Sequence, residues 1–464
     1  MAVETLVAFS IIAGIIFIGF LGEMLFRRYR IPGVLLLLAT GYLLGPMFHI
    51  VDVEVMIGLE FIFAPLALII LLFDGGIQLN IYRLVHESGR GVLLGLIGLA
   101  LAIGAVAGVW VYLGNGWLTG IILGAIVAGT SSAIVIPIAR GMDISDTARQ
   151  TLTIESSLTD VVSVVLVLSL MGALISGHAS VEGTTQSIIS SFSIGAILGG
   201  IFGMAWISLS TRLRHLKFYY MLTLAIMLVL YILTEAFAGS GAIAALVFGI
   251  MLGNMGEIGK MLKFKDVVHE PRVAEFQDEI SFLVRTFFFV FLGIIVSITD
   301  TNMVFIGVGI TVVLFVARFI AVRLATYKSE LSEFNKQITV LMPRGLAAAI
   351  MATYPAAILL ENSSLLGSAQ FGALSLEVSA FPQIAFVVII TSIIITTIGV
   401  MLSGGASDSK EEPYNGSGEE ELSEEVKAEA AQKRRLREQI EKAHAKKEIE
   451  IQKTMEEEPN EDAK

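Results

Sequence analysis

The sequence predicts an all-α polytopic membrane protein of thirteen transmembrane helices, arranged as two inverted six-helix repeats with crossing broken helices. Three observations point there. Hydrophobic residues make up 55% of the chain and charged residues only 16%, with a mean hydropathy of +0.80, whereas soluble domains carry roughly 25% charged residues. Thirteen apolar runs are long enough, or nearly so, to cross about 30 Å of hydrocarbon as helices. The basic residues before 404 fall almost entirely in alternate loops between those runs.

In order, the runs are 4–26, 31–48, 55–81, 91–113, 117–139, 150–176 and 190–210, then 218–237, 240–255, 280–298, 302–325, 337–359 and 381–403. Backbone groups in lipid must be satisfied within their own segment, so continuous runs of this length read as helices and not as barrel strands. The first run, around Val7 to Phe20, has no basic leader and no small-residue cleavage site, which marks a retained helix and not a signal peptide. Arg27, Arg28 and Arg30 follow the first run, Arg83 and Arg90 the third, Arg140 and Arg149 the fifth. Arg212, Arg214 and Lys217 follow the seventh, Lys260, Lys263, Lys265 and Arg272 the ninth, and Arg323, Lys328 and Lys336 the eleventh. The other loops contain no Lys or Arg, so the positive-inside rule puts the N-terminus outside and the C-terminus in the cytoplasm. Residues 404–464 form a separate cytoplasmic tail: a polar linker, then a mixed-charge segment of high helix propensity, expected to be partly helical or disordered.

Several functions are excluded early. Cys is absent, which removes disulfides, thiolate metal sites and cysteine catalysis. There is no phosphate loop, metal-ligand cluster or nucleophile elbow, so neither an enzyme nor an ATP-driven pump is expected. A cation channel stays as a rival reading, since broken helices can also line a pore, although no carbonyl-rich filter of the Thr-Val-Gly-Tyr-Gly kind argues for it. Asp74 and Asp160 lack the paired settings of an intramembrane aspartyl protease. No cofactor and no nucleic-acid partner is expected.

The chemistry lies in polar residues inside the runs. Thr-Ile-Glu-Ser-Ser-Leu-Thr-Asp, residues 153–160, puts Glu155 and Asp160 at membrane depth, where a carboxylate faces water, pairs with a cation or takes part in transport. Ser156 and Asp160 are four apart and share a helix face; Glu155 and Thr159 share the adjacent one. A carboxylate poised between desolvation and a nearby cation can exchange a proton for a hard monovalent cation, whose oxygen ligands Asp, Ser and Thr supply. The fifth run holds Ala-Gly-Thr-Ser-Ser-Ala-Ile-Val-Ile-Pro at 128–137, a poor continuous helix in which Gly129 and Pro137 are the expected interruptions. An unwound centre there would free carbonyls, that of Thr130 included. Pro343 and Gly345 interrupt the twelfth run at the equivalent place. Matched broken helices in two halves point to a transporter's binding site. The seventh run is then the connector between inverted repeats. Arg318, inside the eleventh run, needs a carboxylate partner, for which Glu155 is the candidate, leaving Asp160 to titrate. Arg344 has two expected roles, pairing with an acid or facing helix carbonyl ends where the broken helices cross. Asp74, toward the cytoplasmic end of the third run, is expected to guard an entrance or lend a further oxygen.

At these residues the chain resembles the monovalent cation/proton antiporter superfamily, in its NhaP/NHE-like branch. The likeness spans roughly 1–403 and rests on Phe-Asp-Gly-Gly at 73–76, Thr-Ser-Ser at 130–132 and Glu-Ser-Ser-Leu-Thr-Asp at 155–160. Phe-Val-Phe-Leu-Gly at 289–293, Ala-Arg at 317–318 and Pro-Arg-Gly at 343–345 complete it. The resemblance implies the NhaA/NhaP-like antiporter fold and a homodimer in the lipid of the plasma membrane. Dimerisation helices would lie at about 1–81 and 190–298, and core helices at about 91–176 and 302–403. It implies exchange of Na+ for H+ by alternating access, in the service of pH homeostasis, with K+ as the alternative cation. Asp160 matches the ion- and proton-binding aspartate. Ser156, Asp74 and the main chain of Thr130 match cation-coordinating positions, and Glu155 with Arg318 an internal ion pair. Two positions depart from the pattern: Thr159 stands where Asn is usual, and Ser131 where Asp is frequent, the latter closer to Kef-like relatives that handle potassium.

Overall fold

In the computed structural model every one of the thirteen apolar runs is helical over most of its length, two of them with a break in the middle. The structure describes residues 2–29, 32–51, 53–79, 81, 89–175, 181–213, 218–261, 271–296, 301–361 and 368–403. The charged tail expected at 404–464 lies outside the described residues, which contain no β-strand.

The first stretch comprises α1 (Ala2–Tyr29), α2 (Val34–Tyr42), which continues as a π turn over Leu43–Met47, and α3 (Val53–Gln78). Then come α4 (Gly89–Tyr112), α5 (Trp117–Ala128), α6 (Ser132–Arg140), α7 (Asp146–Ile175) and α8 (Val181–Leu213). They are followed by α9 (Tyr219–Ala236), α10 (Gly241–Gly253), the short α11 (Met255–Met261) and α12 (Pro271–Ile295). The last stretch holds α13 (Thr301–Ala325), α14 (Asn335–Val340), α15 (Leu346–Glu361), α16 (Ser368–Ser379) and α17 (Phe381–Leu402). Among the described residues six stretches are long and apolar enough to cross a membrane unaided: Gly89–Tyr112, Trp117–Arg140, Asp146–Gly172, Ile189–Ser210, Thr301–Ala325 and Gly372–Leu402. Shorter apolar helices such as Val34–Met47, Gly241–Gly253 and Leu346–Leu360 accompany them.

One expectation needs correction. Pro137 is not at the break of the fifth run; it sits inside α6, while the chain unwinds at Gly129–Ser131. Proline has no N–H to give the carbonyl four residues back, yet the helix that restarts at Ser132 carries it through. Gly129 and Ser131 are extended (φ −67°, ψ 141° and φ −70°, ψ 112°), so the small residues, and not the proline, take the interruption. In the twelfth run the chain leaves the helix at Leu341 and resumes at Leu346, with Pro343 and Gly345 in the gap as expected. A proline disfavours helical backbone at the residue before it, here Met342. The helix α16, in the loop before the last run, was not anticipated.

Packing sorts the helices into two groups. In one, α10 lies against α3, α8 and α9, around Ile70, Phe73, Trp206, Ile207, Met227 and Phe248. Here α3 and α10 approach backbone to backbone: a Cβ on Gly76 would strike the Leu246 carbonyl, and one on Gly249 the Phe73 carbonyl. The rings of Phe73 and Phe248 stack at 5.6 Å beside this contact. In the other group, α4 packs on α5, α7 and α13, and α17 on α13 and α15. The groups meet where α15 and α7 touch α3 and α15 touches α12. The second broken helix, α15, lies on that meeting line, and the first packs against it through α5.

Because Gly249 holds α3 and α10 in backbone contact, Gly249→Leu should destabilise the fold by about 1–3 kcal/mol through overpacking. Thermal unfolding in detergent should show a lowered melting temperature. Gly200→Leu, where a Cβ meets nothing within 4 Å, should leave it unchanged.

Candidate functional site

The two unwound segments cross and touch. The Ser131 N–H donates to the Pro343 carbonyl at 2.9 Å, so one break supplies a backbone partner to the other. At Gly345 a Cβ would collide with the Ser131 side chain, which is why glycine is required at the crossing. Backbone groups released by unwinding must be paired when buried. In each half the next membrane-spanning run, α7 or α17, does this with side chains. The Thr130 N–H donates to Thr159 Oγ1 at 3.2 Å and the Ser132 N–H to Asp160 Oδ2 at 2.9 Å, both acceptors on α7. The Met342 N–H donates to Thr396 Oγ1 at 3.4 Å and the Arg344 N–H to Ser392 Oγ at 3.0 Å, both on α17.

The half-helix ends carry partial charge, positive at N-termini and negative at C-termini. Each of three such ends meets the opposite charge. Asp160 lies on the first turn of α6, accepting from both the N–H and the Oγ of Ser132, each at 2.9 Å. The guanidinium of Arg344 donates through Nη1 to the carbonyl of Ala128, the last residue of α5. Arg318 donates to the Ile338 carbonyl from Nε (3.3 Å) and Nη2 (3.2 Å) and to the Leu341 carbonyl at 3.1 Å, capping α14. Arg344 therefore takes the second of its two expected roles, although Asp160 and Glu155 are both within electrostatic reach of it.

The two acids are treated differently. Glu155 is 1% exposed and both its oxygens are committed: Arg318 Nη1 to Oε1 at 2.9 Å, Nη2 to Oε2 at 3.2 Å, and Thr130 Oγ1 to Oε1 at 2.9 Å. Such a fork-to-fork pair is the strong form of an ion pair, and burial keeps water from competing. Asp160 is half-buried and both its hydrogen bonds fall on Oδ2. One carboxylate is locked; the other retains ligand capacity.

The remaining sequence candidates are placed as follows. Thr159 is buried, 3.2 Å from Thr130 across the hydroxyls, and tethers the break. Ser131 is the N-cap of α6, its carbonyl accepting from Ile134 and Val135. Ser156 is buried but donates to the Thr153 carbonyl of its own helix at 3.2 Å, so its hydroxyl is not directed at Asp160. Asp74 is on α3 just before Gly75, whose absent Cβ would stand 3.0 Å from Val161, the residue after Asp160. It is thus on the facing helix at the right level. Ser132 was missed as a candidate although it makes both of Asp160's hydrogen bonds. The first residue of a restarted helix has an unpaired N–H aimed at anions, and that signal was available in Thr-Ser-Ser.

A membrane-embedded bundle with two crossed, broken helices, buried arginines at their carbonyl ends and one partly committed acid defines an ion-coupled transporter. The chain belongs to the family described as "Sodium/hydrogen exchanger, transmembrane", which matches residues 12–403. Among its relatives is the K(+)/H(+) antiporter NhaP of Alkalimonas amylolytica, 28% identical over 334 residues, covering 68% of this chain and 54% of that protein. Another is the probable Na(+)/H(+) antiporter 2 of Methanocaldococcus jannaschii, 30% identical over 291 residues, covering 59% of this chain and 65% of that protein. The chain thus spans about half to two thirds of the length of these curated relatives. The fold matches the sodium proton antiporter MjNhaP1 of Methanocaldococcus jannaschii at pH 8, with a TM-score of 0.70 and 21% identity, covering 86% of this chain and 98% of that one. The family is one of transporters, not enzymes, and the protein is a multi-pass membrane protein.

Removing one partner of the Glu155–Arg318 pair should strand a buried charge. Glu155→Ala or Arg318→Ala should lose about 3–5 kcal/mol of stability, read as a lowered melting temperature in detergent. The double change Glu155→Gln with Arg318→Gln should recover part of that loss.

Proposed function

We propose that the protein exchanges a monovalent cation, Na+ first, for H+ across the membrane by alternating access, one for one at Asp160. The observation that carries this is the unequal treatment of the two acids. Glu155 is held by Arg318 and Thr130, while Asp160 meets only the N-terminal turn of α6 and keeps an oxygen for a ligand. A carboxylate at the end of a broken helix can take a proton or a cation, and taking one displaces the other. Main-chain Thr130, Ser131, Ser156, Thr159 and Asp74 are proposed to complete the oxygen shell in the loaded state. Pro343 and Pro137 are proposed to limit how the broken helices rearrange. With Glu155 committed, one charge moves each way per cycle and exchange is electroneutral.

Around this centre, thirteen crossings place the N-terminus outside and the C-terminus in the cytoplasm of a plasma membrane. The helices at about 1–81 and 190–298 form a homodimer interface, and those at about 91–176 and 302–403 move as the core. The grouping of α3, α8, α9 and α10 apart from α4 to α7 and α13 to α17 supports that division. K+ is the second reading. It is favoured by Ser131 and Ser132 where an added acid would strengthen the field on a small cation, and by the naming of the Alkalimonas relative as a K(+)/H(+) antiporter.

In proteoliposomes a sodium gradient should drive proton movement that does not respond to an imposed membrane potential. Lowering the pH should raise the half-saturating cation concentration while leaving the maximal rate unchanged, as competition at one carboxylate requires. Asp160→Asn should abolish exchange. A potential-driven rate would sink the one-for-one stoichiometry, and full activity in Asp160→Asn would sink the assignment. Apparent affinities for Li+, Na+ and K+ decide between the two cation readings.

A further inference from the structure

Ser163 lies on α7 three residues beyond Asp160 and is only 2% exposed, yet its Oγ has no hydrogen-bond partner. A serine in a helix ordinarily returns its proton to a carbonyl three or four residues back. Two others on this helix do so: Ser156 donates to Thr153 at 3.2 Å and Ser169 to Val165 at 2.7 Å. Ser163 does not. A buried hydroxyl left unpaired opposes folding, and such a group in a native structure calls for an explanation.

Its surroundings supply one. The hydroxyl is turned toward the break in the fifth run: a Cβ on Gly129 would stand 2.8 Å from Ser163 Oγ and 3.0 Å from the Thr159 carbonyl. Glycine at 129 keeps that spot open. At about 100° per residue, position 163 falls between Thr159 and Asp160 around the helix, so it extends their polar stripe by one turn. Past it, toward Ile175, the same face is occupied by Val167 and Met171, both buried. Ser163 is therefore the last oxygen-bearing side chain on this face of α7. Hard monovalent cations give up water only in exchange for oxygen ligands. A cation leaving Asp160 toward the Ile175 end meets this hydroxyl before it meets hydrocarbon.

We propose that Ser163 Oγ is an additional ligand for the exchanged cation, engaged when the site opens toward the Ile175 end of α7 and idle in the arrangement described here. This rests on the exchange reading above. It predicts a sided defect, because a ligand used in one of two access states affects affinity from one side of the membrane.

The test compares wild type, Ser163→Ala, Ser163→Thr and Asp160→Asn in right-side-out and everted membrane vesicles, with Na+ and K+ as the cations. Ser163→Ala should raise the half-saturating cation concentration about fivefold, the effect of one lost ligand bond, in one vesicle orientation only. Its maximal rate should match wild type and its detergent melting temperature should match or exceed it, since the hydroxyl supports no contact and its burial opposes folding. Ser163→Thr, which keeps the hydroxyl, should restore the affinity. An unchanged affinity in both orientations, an equal shift in both, or a lowered melting temperature would each overturn the inference. Exchange that survives Asp160→Asn would instead overturn the assignment of exchange to Asp160, which keeps the two failures apart.

Discussion

Breaking two helices at membrane depth is the constraint from which the rest of this architecture follows. Unwinding at Gly129–Ser131 and at Leu341–Gly345 releases backbone N–H and carbonyl groups where no bulk water can receive them, and each unmatched group is costly there. Every neighbouring element bears the mark of that problem. The spans α7 and α17 carry hydroxyl or carboxylate acceptors at the height of the released N–H groups, and the breaks also bond to each other through Ser131 and Pro343. Gly345 is small because the two backbones cross there.

The carbonyl ends are met by arginines, and not only at the centre. Arg318 caps α14 and Arg344 caps α5 in the buried crossing. Nearer the ends of the bundle, Arg149 donates to the Ala139 carbonyl of α6 at 3.3 Å and Arg90 to the Ala325 carbonyl of α13 at 2.9 Å. The N-terminal ends are met by acids: Asp160 at α6, Glu235 at the start of α10, whose Gly241 N–H lies 2.8 Å away, and Glu377 at Gly116 just before α5. Charge complementarity at helix ends thus runs through the fold as a general device, since an oriented dipole in a weakly polarisable medium is screened little. The central site differs because one of its acids has ligand capacity left.

How much of this could be read beforehand divides along physical lines. Long apolar runs and alternate basic loops are local properties, so helix positions were legible, although α8 and α12 begin nine residues ahead of the runs at 190 and 280. The pairing of Glu155 with Arg318 was legible because two charges in hydrocarbon leave few alternatives. Three features were not. The break in the fifth run was assigned partly to Pro137, but a proline can be carried inside a helix whose solvent or neighbours accept the freed carbonyl, whereas Gly129 with adjacent hydroxyl residues offers the backbone competing bonds. Ser132 escaped because its importance comes from being the first residue after a break, and the exact residue at which a helix restarts is the least legible quantity in a sequence. Glu377 and the helix α16 that carries it sit in a loop with little hydrophobic signal. Their contact with Gly116 and Thr119 joins segments 261 and 258 residues apart, which no local pattern encodes.

The two halves solve the same backbone problem with different chemistry, and the difference bears on function. In the second half Ser392 and Thr396 receive the released N–H groups; in the first half Thr159 and Asp160 do. A hydroxyl would have sufficed at 160 for structure alone, as the second half demonstrates, so the acid there brings a charge that folding does not require. Around the crossing stand Glu155, Asp160, Arg318 and Arg344, two of each sign, with Arg344 within electrostatic reach of the other three. With Asp160 ionised the four cancel. On the exchange reading, binding a proton or binding a monovalent cation at Asp160 each leaves the cluster one unit positive. The two loaded forms therefore present the same net charge to the membrane, while the empty form differs from both. A rearrangement that tolerates one loaded form electrostatically tolerates the other. Coupling then needs only a penalty on the empty, fully ionised site, whose carboxylate would have to pass through the barrier without a ligand.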